Sequence, residues 1–321
     1  MSLFDAYFFV DWSASNKPMR LTPNKDSIWL GELVRGSPPA ERYHRTRAAC
    51  VHDLVIRLRA LTDRGRRVLV GFDFAYGYPR GLAAALGLPS DQAAWTATWT
   101  HLASTITDSA SNESNRWHVA SGLNKTLMPT ASPIGPFWAC PAGAGTATLD
   151  PGKQQGKLAF PFLSRSGARL QEWRHAEARA RTKNPTVQAT WKLFTSGSVG
   201  SQALVGIPRV AKIRHDEVLA PFSKVWPFET GFGPAPSSTT GPCVVHAEIW
   251  PVLFNSEVQA QRAADPTLEI LDQAQVRALC AWAERTDAAG DLGRFFDKPK
   301  GLSDSAMKDC VEEEGWILGL P

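Results

Sequence analysis

Three apolar stretches of this 321-residue chain each close on a single carboxylate: YFFVDWSAS at Asp11, VLVGFDFAYGYP at Asp73 and VVHAEIWP at Glu248. Asp and Glu are depleted in strands, and a lone charge is rarely buried unless it is paired or metal-bound. An acid at the end of an apolar strand therefore needs a partner, and three such ends invite a shared one. If the strands are neighbours in one parallel sheet, their ends meet outside the carboxyl edge, where α/β folds place ligands. Two carboxylates ~4 Å apart repel by roughly 4 kcal/mol at an effective dielectric of about 20. A divalent cation removes that repulsion, and an all-oxygen ligand set points to Mg2+ or Mn2+.

The order of patterns around these acids predicts an α/β fold. Tyr7–Asp11 and Ser27–Val34 read as strands, with a shorter one over Glu41–Arg47. A helix is expected from about Ala48 to Asp63, where Val51, Leu54, Val55, Leu58 and Leu61 follow helical spacing and Gly65 closes it. Arg67–Phe72 is a continuous apolar run, as in a strand covered on both faces. From Gly77 the texture changes. Polar helical stretches (Asp91–Asp108, Glu113–Lys125) lead to a Pro/Gly/Ala-rich passage, an Arg-rich helix over Gly167–Arg181, a Gly/Ser loop and a strand in VWPFET. Sheet and helix resume at Val244–Trp250 and about Gln273–Glu284, and SDSAMKDCVEEEG closes as a short helix stopped by Gly315. The expected organisation is a core of residues 1–76 and 243–321, with residues 77–242 a mostly helical insertion acting as a lid or cap.

Bulk properties exclude several classes. A net charge of +4 permits an anionic partner without requiring one. The five cysteines lie far apart with no C-x-x-C pair, which argues against a zinc site and a disulfide framework and fits a reducing cytoplasm. No apolar run is long enough to span a membrane, and none resembles a signal peptide.

Strand alternation refines the candidates. Asp11 shares a face with Tyr7 and Phe9, Asp73 with Leu69 and Gly71, and Glu248 with His246 and Trp250. Glu229 in VWPFET rivals Glu248 as third acid. His246 is expected to pack or hydrogen-bond rather than ligate. Asp272 reads as a helix N-cap with Gln275 at N3, and also as a fourth acid for the site. For a phosphate-bearing partner the candidates are Arg169 and Arg174, joined by Arg179 and Lys183, with Lys192 and the hydroxyls of Ser196, Ser198 and Ser201 in a loop that runs into a helix. That loop lacks the G-x-x-x-x-G-K-[ST] pattern.

The islands FVDWSASN, GFDFAYGYP and AEIWP, with WKLFTSGSVGSQALVGIP and QVRALCAW, resemble the domain-of-unknown-function family of predicted RNase H-like nucleases. The resemblance implies a ribonuclease H-like mixed sheet flanked by helices, with Asp11, Asp73 and Glu248 as metal positions. One departure stands out: Arg277 occupies the place before the Ala-Leu pair where many resolvases of that fold carry an acid. The implied activity is hydrolysis of phosphodiesters in DNA or RNA, with Asp11 bridging two ions and Asp73 and Glu248 holding one each. The competing expectations are an ATP-using phosphotransferase of the actin and sugar-kinase fold, with Ser13 and Ser15 at the phosphate, and a nucleic-acid-binding protein without catalysis.

Overall fold

A computed structural model describes residues 2–129, 134–153, 158–195, 197–236 and 240–321. Strands β1 (Ala6–Asp11), β2 (Ile28–Val34) and β3 (Ala40–His44) form an antiparallel meander, followed by helix α1 (Arg47–Asp63) and strand β4 (Arg67–Phe72). Helices α2 (Leu82–Ala85), α3 (Ala94–Thr105) and α4 (Arg116–Leu127) come next. The small hairpin β5 (Phe162–Leu163) and β6 (Arg169–Leu170) then precedes α5 (His175–Arg181) and α6 (Gly200–Arg214). Strands β7 (Ser223–Val225) and β8 (Cys243–Glu248) and helices α7 (Asn255–Ala264), α8 (Leu271–Ala288) and α9 (Asp304–Asp309) complete the order.

The six-stranded sheet runs β3-β2-β1-β4-β8-β7. The β1–β2 and β2–β3 pairs are antiparallel, while β1–β4, β4–β8 and β8–β7 are parallel. The three acid-ended strands are thus consecutive neighbours. Both faces of the sheet are covered, which is why these strands read as unbroken apolar runs. One face presents Phe8, Val10, Val68, Val70 and Val244 to a core shared with α1, α3, α4 and α6. The other presents Tyr7, Phe9, Leu69, Val245 and Ala247 to α8 and the C-terminal segment. Close approach on that second side depends on Gly31, where a Cβ would stand 2.9 Å from the Val276 Cβ of α8.

Several sequence boundaries shift. The Arg-rich helix covers only His175–Arg181, and Arg169 lies instead in β6. The strand expected in VWPFET stops at Val225 and is the parallel edge β7, so it forms no hairpin with β8. That edge strand comes from the 77–242 segment, which therefore adds to the sheet as well as to the helical layer. Asp272 is not the cap of α8; Ile270 precedes the helix in extended conformation, and Asp272 sits in the first turn. No helix among the described residues is long and apolar enough to cross a membrane.

The loop after β1 is pinned by Arg47, the first residue of α1, whose side chain is fully buried. It donates to Ser13 O at 2.9 Å and Ser15 O at 2.7 Å, to the Asp108 carboxylate, and to Asn112 O at 2.7 Å. One guanidinium thus joins the β1–β2 loop to the segment after α3. Replacing it strands a buried Asp108 with Arg209 as its remaining cation. We expect Arg47→Ala to cost about 3–5 kcal/mol in urea denaturation. Arg47→Lys should recover only part of this, because an ammonium lacks the planar fork of donors. A loss below ~1 kcal/mol for Arg47→Ala would show that the loop is held by other contacts.

Candidate functional site

Strand register sorts the acids. Val10 of β1 stands level with Phe72 of β4, and Phe72 level with Glu248 of β8. Residues level with one another across a sheet point to the same face, and the next residue along each strand points to the other. Asp11 and Asp73, each one position further on, therefore turn toward the α8 layer. Glu248 turns the opposite way. One residue of register separates two kinds of carboxylate at a single sheet edge.

On the α8 side, Asp11 and Asp73 are joined by Asp272 from the first turn of α8. Asp73 Oδ1 accepts the Trp12 N–H at 2.7 Å, and Asp272 Oδ2 accepts the Ser27 N–H at 2.8 Å. Neither oxygen of Asp11 accepts a hydrogen bond among the described residues. Burial raises the Asp11 carboxyl well above the usual range, and the charges of Asp73, Asp272 and Asp26 raise it further. Asp73 is likewise raised well above its ordinary value, by burial and by Asp272, against the Trp12 N–H that favours its anion. Asp272 is raised by burial and Asp26, opposed by the Ser27 N–H. No basic side chain lowers any of the three. Among the described residues no group of three or more His, Cys, Asp or Glu is arranged to hold a metal ion.

On the opposite side, Glu248 is fully engaged. Arg174, buried to 0 % exposure, forks onto it with Nη1–Oε2 at 2.8 Å and Nη2–Oε1 at 2.6 Å. The same guanidinium binds Glu177 and donates to Glu314 O at 2.6 Å, and Tyr76 N–H donates to Glu248 Oε2 at 3.0 Å. Burial raises the Glu248 carboxyl, with Arg174 opposing the shift. Asp73 and Glu248 nevertheless line one cleft of ≈ 210 Å³, floored by the ends of β4 and β8 and walled by Asn184, Thr186, Val187, Gln188, Gly197 and Val199. Glu229 does not reach this cleft: it pairs with Arg214 at 2.7 Å and accepts the Val225 N–H at 2.8 Å.

The other candidates are dispersed. Arg174 is sealed in its ion pairs and presents no group to a phosphate. Arg179 caps carbonyls of Lys300 and Pro321, Arg169 is exposed on β6, and Lys183 is exposed beyond α5. Ser198 donates back to Thr195 O at 2.7 Å, and Ser201, buried, donates to Leu193 O at 2.6 Å. Lys192 bonds Gln188 Oε1 at 3.1 Å and lies over the Trp138 ring, its pKa lowered by burial. Ser196 lies outside the described residues. His246 is buried against Ser223 Oγ at 3.3 Å, with its pKa pushed down to about 3 by burial first and Arg214 second. Arg277 faces away from the acids, forking onto Glu41 at 2.6 Å and reaching Asp265. Its presence therefore takes no ligand away from the edge; the acid that α8 contributes there is Asp272.

Sequence reasoning missed Asp26, whose charge acts on both Asp11 and Asp272. It lies in a polar turn at φ 62, a setting that reads only as loop. It also missed that Arg174 would be Glu248's counter-ion, since the two lie 74 residues apart. No family model matches the chain, and no match to it is found among curated proteins or solved structures.

A group whose acid form is favoured by folding binds protons more tightly in the native state. Its contribution to stability is therefore greatest at low pH and is lost as pH rises from the unfolded value of 3.8 through the raised native value. Asp73→Asn keeps an oxygen for Trp12 N–H and removes the titration. The variant should gain stability over wild type in metal-free buffer, by an amount that grows from acid to neutral pH in denaturant titrations. A gain that is flat across this range, or a loss, would mean that Asp73 carries no such strain.

Proposed function

We propose that the chain is a divalent-cation-dependent phosphodiesterase acting on nucleic acid, with Asp11, Asp73 and Asp272 as its cation-holding carboxylates. The observation that carries this reading is a set of three mutually repelling acids at the carboxyl edge of a parallel sheet with no basic side chain to neutralise them. Carboxylate oxygens alone make a donor set suited to Mg2+ or Mn2+. The support is electrostatic and lies in the donor chemistry rather than in a formed coordination shell. Strand order adds an argument by analogy: three antiparallel strands, a helix, a parallel strand beside the first and another beyond it is how a ribonuclease H-like core is laid out.

A cation held by these acids would supply Lewis acidity toward a phosphoryl oxygen and make water a better nucleophile. The chain's own part is positional. The Trp12 N–H fixes Asp73, the Ser27 N–H fixes Asp272, and Arg47 holds the carbonyls of Ser13 and Ser15 in the loop that follows Asp11. Glu248, neutralised by Arg174, bounds the cleft instead of joining the cation-holding set. Phosphate approach would rest on Lys17, Arg20 and Lys25, exposed in the β1–β2 loop and without ion-pair partners among the described residues. These replace the expected wall of α5 arginines.

Two outcomes are expected. Mn2+ should raise the melting temperature of the wild type and leave that of Asp11→Asn nearly unchanged, while Asp11→Asn alone should match or exceed the metal-free wild type. Equal Mn2+ stabilisation of both proteins, or no cation-dependent cleavage of single- or double-stranded DNA or RNA, would overturn the reading. Replacing Lys17 and Lys25 with Ala should flatten the slope of log affinity against log salt for duplex DNA by roughly two units, at about 0.9 per phosphate contact. An unaltered slope would remove the loop from the interface.

A further inference from the structure

We infer that the cleft beside Asp73 is a base pocket: it takes one flat, uncharged heterocycle of the nucleobase class, seated on Trp250. This rests on the reading of the chain as a nucleic-acid phosphodiesterase and names the part of the substrate that the cleft receives. Trp250 lies two residues beyond β8 and is partly exposed, and it lines the cleft with Phe74, Val187 and Ile249. It makes no ring contact with another aromatic side chain among the described residues. Most other tryptophans here do have such a partner, including Trp12, Trp95, Trp99, Trp226 and Trp282. Trp250 packs against the α8-side core and is partly exposed where it lines the cleft, and a tryptophan in such a position offers a platform on which a base stacks, with tolerance of base identity.

Size and polarity narrow the occupant. A volume of ≈ 210 Å³ falls below the roughly 300–1,000 Å³ of pockets that enclose whole drug-sized ligands, so the cleft suits one ring system. Among the described residues no Lys or Arg lines it, and Asp73, Glu177 and Glu248 do, which disfavours seating a phosphate there. Glu177 and Glu248 are occupied by Arg174, which leaves Asp73 Oδ2 as an acceptor. Asn184 spends its Oδ1 on Thr186 and keeps its amide N–H groups as donors. One acceptor and one donor beside an apolar floor and an aromatic face match the edge and the plane of a base. Asp73 faces both the cleft and the acid cluster, so a seated base places its own phosphate beside the proposed cation site.

The test uses the full chain in chelator-containing buffer with the four ribonucleosides as probes, read by calorimetry and ligand-observed NMR. At least one nucleoside should bind saturably, and ribose 5-phosphate, which lacks the base, should not displace it. Trp250→Ala should weaken binding roughly tenfold, the scale of one lost stacking contact. Trp250→Phe should keep most of the affinity, and Val187→Trp should abolish binding by filling the cleft. Circular dichroism confirms that each variant is folded. No saturable binding of any nucleoside at millimolar concentration, or wild-type affinity in both Trp250→Ala and Val187→Trp, overturns the pocket. Cation-dependent cleavage without nucleoside binding overturns the pocket and spares the phosphodiesterase reading. Nucleoside binding with no cation binding at Asp11 and Asp73 does the reverse.

Discussion

The alternation of side chains across β1, β4 and β8 is the constraint from which the site follows. Because Val10, Phe72 and Glu248 stand level, an acid that ends β8 at position 248 faces one layer, while acids one step beyond Val10 and Phe72 face the other. A one-residue slip of β8 would move its whole apolar set, Val245, Ala247 and Ile249, out of the α8-side core. Burial on both faces therefore locks the register, and the register locks the division of the carboxylates.

The two sides treat buried charge in opposite ways. Around Arg174, every oxygen of Glu177 and Glu248 meets a donor, and the guanidinium also ties down the carbonyl of Glu314. Glu314 in turn accepts the N–H groups of Arg80 and His175, and Glu313 those of Gly81 and Ala83. The C-terminal segment is thereby clamped beneath β8, where Leu318 N–H donates to Glu248 O at 2.8 Å. Such a network is costly to break at one member, because the remaining charges stay buried. Around Asp11 the chain supplies two backbone donors to neighbouring acids and no cation. A group of this kind either stays protonated or recruits a positive ligand, and both responses lower its repulsion.

How much of this was legible in the sequence depends on the range of the interaction. The apolar runs ending at Asp11 and Asp73 carry their period and their parallel-sheet character locally, and the face of each acid follows from alternation alone. Glu248's face is equally local, but its level relative to Phe72 is set by long-range pairing and by the core behind it. Arg174 shows the same limit more sharply. Within RLQEWRHAEARAR it reads as one of several exposed cations, and only the fold brings Glu248 to it. The capping pattern at Asp272 misled in another way. The DQAQ spacing suits an N-cap, yet the helix begins two residues earlier and the carboxylate is drawn to the Ser27 N–H of the β1–β2 loop.

That loop links the two halves of the site physically. It leaves β1 at Asp11, gives the Trp12 N–H to Asp73 and the Trp12 carbonyl to Gln202 of α6, and returns through Ser27 to Asp272. Residues 197 and 199, just before α6, line the cleft in which Asp73 and Trp250 stand. A change in charge at Asp11 or Asp73 therefore acts on the same backbone that fixes the start of α6 and one wall of the cleft. Under the proposed reading, occupancy of the cation site would bear on the shape of the cleft through Trp12, with Asp73 as the side chain common to both.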